Sequence, residues 1–182
     1  MTLHADALET LRAWRSSDPG QLGLRDRFVA HLEAHPDATY RHCRPDHLTA
    51  GALVVSADRR WVLLTLHAKA GRWFQFGGHC EPGDASLAAA ALREATEESG
   101  VSGLVLDPDP VHLDEHPVTF CGQPGLVHHL DVRFVAVAPA SAEPAVSEES
   151  IDVRWWPVDA LPEPDTGLVA RSLERLAGRQ RA

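Results

Sequence analysis

The sequence has few cysteines, no long apolar run and no excess of basic residues. Its three cysteines, Cys43, Cys80 and Cys121, are too few and too scattered for a disulfide framework, which favours reduced thiols in a cytoplasm. No stretch approaches the ~20 apolar residues of a membrane span. The first residues also lack the basic and apolar segments of a signal peptide. These absences predict a soluble, cytoplasmic protein without a membrane partner.

The charge balance of the chain is acidic. Seventeen Lys and Arg residues stand against 26 Asp and Glu residues, which gives a formal net charge of −9 at pH 7. A protein that binds nucleic acid polymers nonspecifically needs a basic surface to neutralise phosphates, so we expect no such polymer among its partners. A small phosphorylated ligand is compatible with this charge, because a bound divalent ion supplies positive charge locally.

The length and the remaining composition are typical of a globular protein. A chain of 182 residues, 44% of them hydrophobic, fits one domain with a sizeable core. Apolar residues recur at helical spacing over residues 3–15 and 22–34. We therefore predict an N-terminal extension of two helices over residues 1–45, which packs against the main body or forms a homodimer surface. The main domain is predicted over residues 46–182 and ends in a helix.

Alternation of apolar residues and turn signals predict the strands of this main domain. The predicted strands cover residues 48–56, 61–67, 73–76, 101–106, 111–118, 126–138 and 151–156. The closing helix is predicted over residues 165–178.

Residues 77–101 combine a glycine-rich loop with a helix. Glycines and a proline punctuate the first part, because glycine allows positive φ and proline fixes its own φ. Asp84 or Ser86 then offers an N-cap oxygen. The residues from Leu87 to Ser99 are mostly helix formers, and Gly100 occupies the place of a left-handed C-cap. The pattern predicts a loop that runs directly into a helix.

Three glutamates fall together on one side of the predicted helix. Glu94, Glu97 and Glu98 are spaced i, i+3 and i+4, so they share a face beside the apolar arc. Like charges at this spacing cost roughly 0.2–0.5 kcal/mol. Glutamates in the last turn also oppose the helix dipole. Their convergence after a glycine-rich loop favours a functional role, since Mg²⁺ is typically held by a few carboxylates and substrate phosphates.

The same stretch resembles the signature of the Nudix hydrolase family, G-x5-E-x7-R-E-U-x-E-E-x-G-U, where U is aliphatic. The residues from Arg93 to Val101 match the second half in register. Gly78 and Asp84 match the spacing of the first half, but Asp replaces Glu. Eight residues rather than seven separate Asp84 from Arg93, so the role of Asp84 is left open.

The resemblance implies an α/β fold, the Nudix-type α/β/α sandwich with a mixed sheet between helices. It implies a metal-dependent hydrolase that cleaves a phosphoanhydride bond in a nucleoside diphosphate linked to another group, by attack of a metal-activated water. The expected cofactor is Mg²⁺ or Mn²⁺. The expected partner is a small-molecule nucleoside diphosphate derivative.

The resemblance also suggests roles for the signature residues. Glu94, Glu97 and Glu98 are the expected metal ligands. The general base is Glu97, Glu98 or Glu149, and the sequence does not choose among them. Arg93 is expected to orient the cluster by pairing with a glutamate.

Two further sets of site residues follow from the resemblance. Some Nudix hydrolases carry an additional glutamate six residues before a tryptophan, and Glu149 before Trp155 matches that spacing. An exposed acidic loop is the alternative interpretation of Glu149. Gly77, Gly78 and His79 are the expected substrate-binding residues.

Histidines outside this set are weaker candidates. The segment from Arg41 to His47 contains two histidines and the thiol of Cys43. No second pair of ligands accompanies it, and zinc sites normally need four ligands or three with water, so a metal role is disfavoured. His128 and His129 could meet substrate or metal, although histidines on a half-buried strand are more often only hydrogen-bonded.

Two alternative functions stay open. A Nudix-like module could bind a nucleotide without cleaving it, and the intact glutamate set argues against this. Relatives of the fold isomerise isoprenoid diphosphates with a cysteine in the site, for which Cys80 is the candidate.

Overall fold

The computed structural model describes residues 1–118, 127–148 and 150–179. The helices in this part of the chain are α1 (Leu3–Ala13), α2 (Pro19–Ala34), α3 (Leu87–Ser99) and α4 (Leu168–Arg179). The strands are β1 (His47–Val55), β2 (Trp61–His67), β3 (Arg72–Phe74), β4 (Phe76–His79), β5 (Val105–Leu106), β6 (His112–Val118), β7 (Val127–Val137) and β8 (Ser150–Pro157). This mixture confirms the predicted α/β class. Over the same ranges, a helix both long enough and apolar enough to cross a membrane is not found.

Strand β1 is the centre of a mixed sheet. It pairs in parallel with β7 along its whole length, from His47 opposite His129 to Val55 opposite Val137. On its other edge it pairs antiparallel with β4 and then, further along, with β2. Strand β2 continues the sheet to β3 and β8, and β7 continues it to β5 and β6. Strand β1 therefore has three partners. One of them, β4, is the strand that leads into the signature loop.

Helices cover both faces of this sheet. On one face, the alanines of α3 pack against small and apolar residues of β1, β4 and β7 in the main core cluster. On the other face, Leu168, Val169 and Leu176 of α4 pack against Leu53 and Val135. Successive side chains of a strand point to opposite faces, so a strand buried on both sides carries apolar residues on each. The arrangement is the predicted α/β/α sandwich.

The two N-terminal helices belong to the same core as α3. Leu3, Leu11, Phe28 and Leu32 are buried in the cluster that also contains the α3 alanines. The side chain of Gln21 donates to the Leu113 carbonyl at 2.9 Å and accepts from the Leu113 amide at 2.8 Å, which links α2 to β6. The extension therefore packs against the main body, while its separate boundary at residue 45 stays a prediction.

Two predicted strands differ in the structure. The strand predicted over residues 101–106 is limited to Val105 and Leu106, because Gly100 and Gly103 have φ of 68° and 75° and interrupt extended backbone. The strand predicted over residues 73–76 is two strands, β3 and β4. Gly77 and Gly78, predicted as loop, belong to β4, where Gly77 lies opposite Gly51.

Candidate active site

Helix α3 begins and ends where the sequence predicts. The Ser86 hydroxyl accepts from the Ala89 amide at 3.0 Å and caps the N-terminus, and Gly100 adopts the left-handed C-cap with φ of 68°. The Leu87 amide also donates to Asp6 of α1 at 2.9 Å. These contacts fix the rotation of α3 and, with it, the direction of its glutamates.

Arg93 is the hub of the polar side of α3. Its guanidinium donates from Nε and Nη2 to both carboxylate oxygens of Asp84, at 3.1 and 3.0 Å. Nη1 donates to Glu94 at 3.0 Å and to Glu97 at 3.2 Å, and Nη2 donates to the His79 carbonyl at 3.1 Å. These groups raise the pKa of Arg93, chiefly through the bond to Asp84. Arg93 thus contacts two of the three glutamates and the signature loop, and its orienting role stays a prediction.

The structure shows a role for Asp84, which the sequence left open. Its side chain is 6% exposed, and it accepts from the Glu81 amide at 2.7 Å as well as from Arg93. Burial acts to raise the pKa of Asp84, but the bonds from Arg93 and Glu81 hold it below its ordinary value. Asp84 therefore closes the signature loop onto the helix as a carboxylate, despite the extra residue between it and Arg93.

Two glycines of β4 bring the backbone against the glutamates. An ideal Cβ on Gly78 would lie 2.7 Å from Oε2 of Glu94, so a larger residue there would require that carboxylate to shift. The Gly77 amide donates to Oε2 of Glu98 at 3.2 Å. The side chain of Glu97 is 63% exposed and contacts Arg93. The carboxylates are thus placed by contacts to β4 and Arg93, on a helix that is itself fixed at both ends.

The predicted site residues differ in how far the structure gathers them. Arg93, Glu94, Glu97 and Glu98 lie together beside β4, which consists of Phe76 and the three predicted substrate-binding residues. Glu149 lies outside the described residues. Three sets of His, Cys, Asp and Glu in the described ranges have ligand atoms within 4.8 Å of one another, and none contains a glutamate of α3.

The donor set on α3 is nevertheless suited to a hard divalent cation. All its ligand atoms are carboxylate oxygens, which Mg²⁺ and Mn²⁺ prefer. The missing Cβ of Gly78 provides a cradle for one of these carboxylates. The residues present therefore fit a site of the kind that the signature implies.

The profile of the NUDIX domain matches residues 45–176. The chain belongs to the Nudix family. This confirms the resemblance that the signature residues carry. Together with the retained arginine and glutamates, membership makes the chain a Nudix-type pyrophosphohydrolase.

Solved Nudix structures share the fold. A Nudix family hydrolase from Clostridium perfringens is 22% identical, with a TM-score of 0.57 over 73% of this chain and 97% of that one. The Nudix domain of Shewanella oneidensis NrtR, complexed with ADP ribose, is 23% identical, with a TM-score of 0.52 over 81% and 97%. A UDP-X diphosphatase is 15% identical, with a TM-score of 0.56 over 97% of this chain and 91% of that one. The last match extends over the N-terminal helices as well.

Proposed function

We propose that the chain hydrolyses a phosphoanhydride bond in a nucleoside diphosphate linked to another group, with Mg²⁺ or Mn²⁺ bound at Glu94, Glu97 and Glu98. The observation that carries this proposal is the set of bonds around Arg93, which holds two of these glutamates and the signature loop together. A surface helix with no function gains nothing from three clustered carboxylates, because like charges at this spacing are destabilising.

Residues of β4 and α3 have different proposed roles in this reaction. A divalent ion held by Glu94, Glu97 and Glu98 would offset the charge of the substrate phosphates and would lower the pKa of a bound water. The Gly77 amide keeps Glu98 beside β4, and Arg93 keeps Glu94 and Glu97 on the same side of α3. The carboxylate that accepts a proton from the attacking water is Glu97, Glu98 or Glu149. A carboxylate of ordinary pKa suffices for this step when the water is acidified.

The substrate class is proposed from family membership and from two of the structural neighbours. One neighbour is named for a UDP-linked substrate, and its match covers 97% of this chain. Another contains ADP ribose. ADP ribose and a UDP-linked compound are both nucleoside diphosphates joined to a further group. This supports a small-molecule substrate of that kind.

The experiment is a hydrolysis panel of ADP-ribose, UDP-sugars and dinucleoside polyphosphates. Each substrate is tested with Mg²⁺, with Mn²⁺ and with chelator, and phosphatase coupling detects monophosphate products. We expect cleavage of one class that chelator abolishes and that Glu98→Gln reduces by several orders of magnitude. Glu174→Gln on α4, an exposed glutamate, is the matched control and should retain full turnover. Cleavage that persists in chelator, or full turnover in Glu98→Gln, would refute the proposal.

Two further measurements test the alternative functions, a nucleotide-binding module and an isoprenoid-diphosphate isomerase. Calorimetry that finds tight binding of a nucleotide without product over hours would favour a binding module. An isoprenoid-diphosphate isomerase needs a cysteine that reaches its substrate. Cys80 is only 5% exposed, and burial raises the pKa of its thiol to about 12, which disfavours this role. Full activity in Cys80→Ala would dismiss it.

The proposed location is the cytoplasm. Cys43 and Cys80 are free thiols and are buried, which fits a reducing compartment. Nucleotide substrates would be available there. Fractionation of cells that express the tagged chain tests the location directly.

A further inference from the structure

We propose that His47, His79 and His129 form a binding site for a first-row transition metal ion, best suited to Zn²⁺ and separate from the glutamates of α3. The three residues come from three different strands, and the proposal does not depend on the hydrolase activity.

Strand pairing brings these histidines together. His47 lies directly opposite His129 across the parallel pair of β1 and β7. His79 lies opposite Thr49, two residues beyond His47 on β1, across the antiparallel pair of β1 and β4. Residues i and i+2 of a strand share a face, so all three side chains stand on one face of the sheet. Alternation also places His79 on the face opposite the one where Gly78 meets Glu94.

The three rings converge at distances close to those of a metal site. The Nε2 atoms of His47 and His79 are 3.2 Å apart. The ring centroids of the three pairs are 5.0 or 5.1 Å apart, and one ligand nitrogen from each ring lies within 4.8 Å of the others. Zn–N bonds of about 2.0–2.1 Å in a tetrahedron require nitrogens roughly 3.4 Å apart. The pair of His47 and His79 already has this spacing, and the His129 nitrogen lies within 4.8 Å of both.

Burial and the positive charges of Arg41 and Arg44 disfavour a proton on these rings. Burial lowers the pKa of His79 to about 4 and that of His129 to about 3, and it lowers the pKa of His47 as well. The neutral form of an imidazole is the one that binds metals. Asp131 lies two residues from His129 on the same face of β7, where Thr49 and Arg133 hold it as a carboxylate.

The nitrogen donors define the class of ion. Three imidazoles with an open fourth position are the ligand set of catalytic zinc sites, and imidazole also suits Cu and Ni. Mg²⁺ prefers oxygen, so the two sites of this chain would select different ions. His79 and His129 are half-buried, and the ring of a fourth histidine, His116, lies 5.5 Å from that of His129.

The other two ligand clusters fit a metal less well. Asp46, Glu115 and His128 surround Arg27, whose guanidinium donates to Asp46 at 2.6 Å and to Glu115 at 3.2 Å. That cluster already contains a cation. In the cluster of His35, Asp37 and Cys43, burial raises the pKa of the thiol to about 11, which opposes the thiolate form that zinc needs.

The test is binding of Zn²⁺ and Co²⁺ to the full-length chain after treatment with chelator. Calorimetry gives the stoichiometry and affinity, and visible absorption of Co²⁺ reports its coordination. The variants are His79→Gln and His129→Gln, since His47 is almost fully buried. Glu98→Gln and Cys43→Ser report on the competing sites, and His42→Gln is the control for an exposed histidine of the same segment. Circular dichroism in chelator confirms that each variant is folded.

We expect one Zn²⁺ per chain with submicromolar affinity and a tetrahedral Co²⁺ spectrum. Each of His79→Gln and His129→Gln should weaken Zn²⁺ binding at least tenfold and abolish that spectrum. Glu98→Gln, Cys43→Ser and His42→Gln should bind as the unmodified chain does. Absence of submicromolar binding, unchanged affinity in both folded histidine variants, or a loss that follows Glu98→Gln or Cys43→Ser instead would overturn the proposal. In that case the Nε2 contact of His47 and His79 is only a hydrogen bond between neutral rings.

Discussion

At Gly78 an added methyl group would stand 2.7 Å from the carboxylate of Glu94. We expect Gly78→Ala to displace that carboxylate and to lower turnover by about 10²-fold, because a misplacement of about 1 Å in a catalytic group costs that much. The metal concentration that gives half-maximal activity should rise. Steady-state kinetics at a series of Mg²⁺ concentrations measures both.

Gly83→Ala is the matched control for Gly78→Ala. Gly83 belongs to the same signature loop, and an added Cβ there meets nothing within 4 Å. Its turnover should equal that of the unmodified enzyme. Equal turnover in Gly78→Ala would show that the position of Glu94 does not matter for the reaction.

Asp84 links the stability of the site to pH. The folded pKa of Asp84 lies below the ordinary value of 3.8, so its carboxylate stabilises the fold above that pH. This contribution is lost as the pH falls through the folded pKa. Asp84→Asn should lower the free energy of unfolding by about 1.5–3 kcal/mol at pH 7, the usual worth of hydrogen bonds to charged groups. The difference in free energy of unfolding between Asp84→Asn and the unmodified chain should become smaller below about pH 4. Urea unfolding at pH 7, 5 and 3.5 measures it, and a difference that grows towards low pH would contradict the assignment.

Among the secondary-structure elements, α3 and β2 have the bounds that the sequence predicts. Ser86 and Gly100 are local signals, and each acts within one turn of its own position. Strands β2 and β6 follow in a similar way from alternation and turn residues. The predicted strand over residues 101–106 fails because two glycines with positive φ determine the backbone there, and an apolar run does not reveal φ.

The sequence does not predict which residues of different strands lie next to one another. The sequence predicts Gly77 in a loop, but the structure pairs it with Gly51 in the sheet. His47, His79 and His129 are separated by 32 and 50 positions, and only the register of β1 with β4 and β7 joins them. In the sequence they fall into three separate groups: His47 in the segment from Arg41 to His47, His79 among the predicted substrate-binding residues, and His129 beside His128. The glutamates of α3 were found because residues on one helix have a fixed spacing.

For the whole molecule, one core cluster joins the N-terminal helices to α3. Removal of residues 1–45 would expose the apolar surface that Phe28 and Leu32 cover and would leave the Leu113 backbone groups without Gln21. We expect the fragment of residues 46–182 to be poorly soluble and to lose its cooperative thermal transition, since buried backbone groups without partners are costly.

Circular dichroism melting and size-exclusion chromatography of the fragment, beside the full-length chain, check this expectation. A soluble fragment with a cooperative transition would show instead that the Nudix domain folds alone from residue 46. The chromatography of the full-length chain also tests the predicted homodimer. The covered face of α1 and α2 is already used within the chain, so a dimer would need their outer faces.

The bond between Asp84 and Arg93 has a consequence for how this loop can change over time. Aspartate is one methylene shorter than glutamate, and this chain has one more residue between the acid and the arginine than the signature allows. The carboxylate nevertheless arrives at the guanidinium at 3.0 and 3.1 Å. In this chain, the longer loop and the shorter side chain together bring the carboxylate to the guanidinium. The contact is therefore present although its spacing in the sequence departs from the one by which it is ordinarily recognised.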